Sequence, residues 1–233
     1  MQSIVFDLTR GLILLSLSVS VIEFYKTKNE ILFLFSGVKK SLFKVLLLLL
    51  PLGIFLSALN PLYLVVVLVA LMLATYLFDG SYNGGSDYMN FIIVLSLLVY
   101  TFSANEYVQK ICLLYIGVQS LLSYLIAGLT KLVKSDWRNG RSLQKILKES
   151  HYLIPQSIGH FLAQNTGLTL FLSWMIILTE LSIFMGFYSF TMAIVMVLFF
   201  LIFHLVNIYI FGLNRFFFAW LASYPCLLYC FYN

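Results

Sequence analysis

Four polar side chains stand inside long apolar runs, where hydrocarbon makes them costly: Lys131, Glu180, His204 and Asn207. An ionisable group within a membrane span is a functional candidate by default, because its burial must be compensated. Lys131 lies near the end of its run. It can act as a base or substrate anchor inside a bundle, or it can snorkel to the headgroups. Glu180 is in mid-run with no basic residue in the same segment. It must find a partner on another helix or keep its proton, and its role is then catalytic or a structural hydrogen bond. His204 and Asn207 are three apart and share one helix face, as site groups or as interhelical glue. Trp137, Arg138 and Gly140 follow Lys131 in a polar loop. A second polar stretch, 79–87, reads DGSYNGGSD and carries Ser86 and Asp87. It is either a plain surface turn or a loop contributing to a site at the membrane boundary.

These residues need helices to position them. A span takes about 20 predominantly apolar residues. Candidate spans fall at 4–24, 42–59, 61–78, 88–102, 108–132, 168–187, 190–211 and 216–229. That is about eight, or seven if the last is re-entrant. The expected fold is all-α, a polytopic integral membrane helical bundle. On the fifth span, Tyr124, Gly128 and Lys131 fall at i, i+4 and i+7. Gly128 lets another backbone approach that face, which turns Lys131 toward the bundle rather than toward lipid. Leu143, Ile146 and Leu147 oppose Lys145, Lys148 and Glu149, so 142–149 reads as a short amphipathic helix on the membrane. The apolar patch 31–35, among the lysines of 25–44, is too short to span and reads as interfacial. Pro51 and Pro225 should kink their helices.

Composition agrees. Of 233 residues, 62% are hydrophobic and 10% charged, with mean hydropathy +0.99. A soluble domain carries about 25% charged residues. The net charge of +5 resides largely in two loops, 26–44 and 134–149. In a membrane chain this speaks to orientation and anionic headgroups, not to nucleic acid. Four spans separate the two loops, so both lie on one side, and the positive-inside rule makes that side cytoplasmic. The N-terminus has no basic stretch before its apolar run and no small-residue cleavage site, so the first segment is expected to be retained. Cys226 and Cys230 share a helix face, but no zinc-ligand spacing is present, and free cysteines in apolar helices pack as small hydrophobes. His160 reads as a solvated loop histidine. No metal site is expected.

Tyr124, Ile126, Ala127, Gly128, Lys131, Leu132, Trp137, Gly140 and Leu143, in this order, resemble the HTTM (horizontally transferred transmembrane) family. They resemble equally the transmembrane domain of the vitamin K-dependent gamma-glutamyl carboxylase related to it. The resemblance continues in Glu180-Leu181-Ser182, in Phe203-His204 with Asn207, and in Ala222-Ser223 with Pro225. It covers about 79–228 of a single transmembrane domain spanning the chain. It implies that Lys131 matches the lysine proposed to deprotonate vitamin K hydroquinone, with His204, Glu180 and Asn207 in the same cavity. Tyr124, Trp137, Arg138, Ser86 and Asp87 would border it. The low dielectric of a membrane site favours the neutral amine that a base requires.

The chain departs from the carboxylase in two ways. Ser86 stands where the carboxylase has its functional histidine, and no counterpart of the large lumenal domain is seen. The resemblance also places the lysine on the outer face, opposite to the charge count, and the side stays open.

Two function classes follow. In the first, a multi-pass protein of the bacterial inner or plasma membrane works with a lipid quinone or hydroquinone. SdpB-like relatives suggest maturation of a secreted peptide, with a partner protein supplying a soluble domain or the peptide. In the second, the chain is a non-enzymatic assembly, immunity or DoxX-like subunit of a quinone-linked system, and the polar residues are glue. Membrane lipids are partners in both.

Overall fold

The computed structural model describes residues 1–80, 82, 84–149, 156–212 and 214–232. Those residues form helices and short connections, with no strand among them. The expected all-α membrane bundle is what is found. The helices are α1 (Gln2–Leu34), α2 (Gly37–Leu59), α3 (Leu64–Leu77), α4 (Gly85–Phe102), α5 (Glu106–Val133) and α6 (Ser135–Arg138). They continue with α7 (Arg141–Glu149), α8 (Gln156–Gln164), α9 (Thr166–Leu181), α10 (Phe190–Phe211) and α11 (Asn214–Tyr232). Six helical segments among the described residues are long and apolar enough to cross a membrane. They start at residues 2, 37, 85, 106, 166 and 190. The expected third span is a shorter apolar helix, Pro61–Leu77. The last is the 19-residue α11, with Pro225 inside it.

One expectation is corrected. Residues 25–44 are not a loop carrying an interfacial patch. α1 runs unbroken to Leu34, and α2 starts at Gly37. No helix breaker precedes Ser36-Gly37, where φ of +52° at Gly37 lets the chain turn. Ile31 is buried, while Lys26 and Lys28 are exposed on the same helix.

The chain divides into two compact units. One is Met1–Gly117 with Phe218–Cys230; the other is Val118–Phe217 with the described residues from Phe231 on. Within the first, α2 and α3 form a tight hairpin. A Cβ on Gly53 would meet the Val67 side chain and backbone at 3.1 Å. Asn60 caps the turn by accepting from the Leu62 amide at 2.9 Å. Pro51 has no N–H to give the Leu47 carbonyl, four residues back. The Tyr25 hydroxyl donates to that carbonyl instead, at 2.9 Å.

Within the second unit, Asn165 starts α9 by accepting from the Leu168 amide, and Ser189 starts α10 by accepting from the Met192 amide. Such side-chain acceptors satisfy the orphan donors of a helix N-terminus. α9 gives way to a 3-10 stretch, Ser182–Phe187, directly after Glu180-Leu181. α10 closes on Gly212 in the left-handed conformation.

Candidate functional site

The site is assembled on α5. Its Gly128 has no Cβ, and one built there would meet the Leu181 side chain at 2.9 Å and Glu180 Cβ at 3.1 Å. The bare glycine therefore lets the end of α9 sit against α5. One turn further along, Lys131 Nζ donates to both oxygens of Glu180 at 2.7 Å. The pair is largely enclosed, with side-chain exposures of 19% for Lys131 and 7% for Glu180. A mid-span carboxylate thus has its partner on another helix. Removing two charges from water is expensive, and each of these ions offsets the desolvation of the other.

The polar loop after α5 closes over the pair. Trp137 on α6 places its ring 5.4 Å from Lys131 Nζ, within cation–π range. This segment and the start of α7 are fixed along α9 by three hydrogen bonds, two of them to backbone carbonyls. Ser173 Oγ donates to the Trp137 carbonyl. Trp174 Nε1 donates to the Arg138 carbonyl at 3.2 Å, and Gln144 Nε2 to Thr169 Oγ1 at 3.1 Å. Gly140 completes the arrangement. Its φ is +73°, and a Cβ would lie 2.8 Å from the Leu170 amide nitrogen. Only glycine meets both demands. Arg138 therefore enters the site through its carbonyl, while the residue as a whole is exposed.

A second polar pair lies two turns back on α5. The Tyr124 hydroxyl and His204 Nε2 are hydrogen-bonded at 2.6 Å, and both residues are buried. Phe200 packs on Tyr124 at 4.1 Å between ring centroids, and Phe203 and Phe216 flank His204 at 5.4 and 5.2 Å. Seven residues of α-helix separate Tyr124 from Lys131, about 10 Å along the axis. The two pairs are thus stacked on one helix, with Gly128 between them.

Asn207 lies elsewhere. It is half-buried and lines a mainly apolar cavity of about 250 Å³ together with Thr179, the neighbour of Glu180. Lys131, Glu180, Tyr124 and His204 are not among that cavity's lining residues. Ser86 and Asp87 open α4, in the other unit, with Ser86 fully buried. Of the remaining polar candidates, His160 is exposed on α8, and Cys226 packs against the Thr9 hydroxyl at 3.3 Å. Sequence reasoning missed Ser173, Trp174, Thr169 and Gln144. Hydroxyls and indoles are ordinary in apolar helices, as a glutamine is on an amphipathic one, and only the fold reveals the groups they meet.

Neither the curated proteins nor the solved structures contain a match to this chain. Residues 94–232, more than half of the chain and all of the Lys131, Glu180 and His204 region, match the family model of the HTTM domain. The protein is a multi-pass membrane protein and belongs to the HTTM family.

Proposed function

We propose that the protein works at the bacterial plasma membrane with a lipid quinone or hydroquinone, in the maturation of a secreted peptide, and that Lys131 and Glu180 are the reacting pair. The observation carrying this reading is the enclosed Lys131–Glu180 contact beneath the Trp137 ring. The donor set fits such a group. A hydroquinone hydroxyl needs an acceptor for its proton, and a quinone oxygen needs a donor. One lysine–carboxylate pair offers both, because a proton moved from Nζ to Glu180 leaves a neutral amine beside a neutral acid. Trp137 offers an aromatic face.

When bound, a hydroquinone supplies an acidic hydroxyl and two reducing electrons. Glu180 holds the Lys131 amine in place and keeps or returns its proton. Ser173 and Gly140 fix the loop that keeps water from the pair. Tyr124 and His204 form a buried support on the same helix. The peptide, or a soluble partner that presents it, is recruited from outside the bundle.

The test uses the purified protein in lipid nanodiscs, titrated with a short-chain naphthoquinone while tryptophan emission is followed. Saturable quenching is expected in the wild type. It is lost in Lys131→Met and kept in Lys134→Met, whose lysine is exposed. Equal quenching in wild type and Lys131→Met removes the proposal.

A second reading has its own observation. Both Glu180 oxygens are already occupied by Lys131, which is what glue between α5 and α9 requires. In that case the chain is a non-enzymatic subunit, and any arrangement that restores the pair restores the protein.

A further inference from the structure

α5 carries a glutamine at the middle of its span. Gln119 is the fourteenth of the 28 residues of Glu106–Val133. A helix of that length extends about 42 Å, against a hydrocarbon core of about 30 Å, so its middle lies near the membrane mid-plane. Gln119 is half-buried, and no hydrogen bond joins its side-chain amide to any described residue. Other polar groups of the helices are provided for. Gln109 Nε2 donates to the Ser103 carbonyl at 2.8 Å, and Gln144 Nε2 to Thr169 Oγ1 at 3.1 Å. The Ser18 and Thr75 hydroxyls return to carbonyls of their own helices at 2.8 and 2.9 Å.

An amide without a partner in hydrocarbon is costly. Lipid offers none at this depth, because its esters and headgroups lie at the membrane surface. The side chains that follow Gln119 say what else can approach. Leu122, Ile126, Leu129 and Val133 come at steps of three, four, three and four, and all four are exposed. That is the heptad spacing of a helix–helix seam, with one polar residue in it. At about 100° per residue, the seam lies on the side of α5 away from Tyr124, Gly128 and Lys131.

We infer that this seam pairs two copies of the chain side by side, with the two Gln119 amides hydrogen-bonded to each other across a twofold axis. Copies of one chain insert in one orientation, so the axis of a pair runs along the membrane normal. Each residue near the axis then meets its own counterpart at its own depth. An amide both donates and accepts, so it is complementary to its own copy. The rest of the seam is aliphatic and carries no charge that would repel the same residue opposite. A single polar side chain in such a seam fixes register and the number of helices. The seam is separate from the Lys131 pair and does not depend on the quinone reading.

Donor- and acceptor-labelled samples of the full-length protein are mixed in liposomes over a range of protein-to-lipid ratios. Energy transfer above random proximity is expected, saturating with density and linear in acceptor fraction as a dimer requires. Gln119→Leu should weaken association about tenfold. Gln119→Asn, which keeps an amide, should retain most of it. Ile202→Trp, a lipid-facing change on α10, should leave it unchanged. Oxidative crosslinking in membranes then locates the contact. Ile126→Cys should give a disulfide-linked dimer, while the wild type and Leu205→Cys, at an exposed position of α10, should not. A wild type that stays monomeric at every density overturns the inference, whether lipid or another protein covers the seam. So does pairing that is unaffected by Gln119→Leu, or a dimer that crosslinks through Leu205→Cys and not through Ile126→Cys.

Discussion

The two units handle polarity in different ways. In the first, buried polar groups are hydroxyls and an amide: Thr9 meets Cys226, and Ser16 donates to Asn90 Oδ1 at 3.0 Å. Its charged pairs stay at the surface. Asp7, partner of Arg10, keeps 62% of its side-chain exposure, and Asp79, partner of Lys39, keeps 82%. In the second unit, Glu180, His204 and Arg215 are all buried. They are the buried acidic and basic residues among those described. A neutral hydrogen bond in a membrane bundle stabilises helix packing at little cost. A buried ion pair is a poor way to gain stability, because desolvation offsets its attraction. The contrast puts the buried charges in the second unit and neutral hydrogen bonds in the first, the distribution expected if the second unit carries the proposed chemistry and the first is scaffold.

Breaking the ion pairs should expose the largest difference. Lys131→Met leaves Glu180 buried without its cation and should cost about 3 kcal/mol or more, read as a lowered Tm in detergent. Asp7→Asn, at an exposed pair, should cost under about 1 kcal/mol. Comparable losses from the two would erase the distinction.

The glycines sharpen the comparison at the next level. Gly128→Ala pushes a methyl into Leu181 and Glu180 and should cost about 1–3 kcal/mol. It should also weaken any function of the pair. Gly11→Ala on α1 meets nothing within 4 Å. It should be neutral, or stabilising by up to about 1 kcal/mol, because alanine is the better helix former. Thermal unfolding of the two variants side by side checks the sign.

The smallest effects separate scaffold hydrogen bonds from positioning ones. Ser16→Ala and Ser173→Ala should each cost about 1 kcal/mol, the usual worth of a hydrogen bond. Only Ser173→Ala, which frees the Trp137 carbonyl, should shift tryptophan emission. A shift in Ser16→Ala, or none in Ser173→Ala, would mean that Ser173 does not position Trp137.

How much of this was legible follows from what local sequence encodes. Long apolar runs gave most helices to within a few residues. The run 190–211 agrees with α10 at both ends, and 142–149 differs from α7 by one residue. The lysine-rich segment 25–44 was misread, because charge suggests a loop while backbone continuity is set by the absence of a breaker until Ser36-Gly37. In the site, Gly128 and Lys131 on one face already pointed to a close helix contact. The identity of the partner was not readable, since Glu180 lies 49 residues away on another helix. Asn207 was grouped with His204 by its spacing of three. That spacing leaves enough rotation about the helix for His204 to reach Tyr124 while Asn207 faces the apolar cavity. The role of Trp137 depended on where α9 presents Ser173 and Trp174, which no spacing in the loop contains.

The central claim is that Lys131 and Glu180 are held for chemistry and not for adhesion. The charge swap Lys131→Glu with Glu180→Lys tests it most directly, with Tm and naphthoquinone quenching measured on the same preparation. The account predicts that the swap recovers most of the stability lost in Lys131→Met but none of the quenching. Recovery of both would show that the pair is glue, and would contradict it.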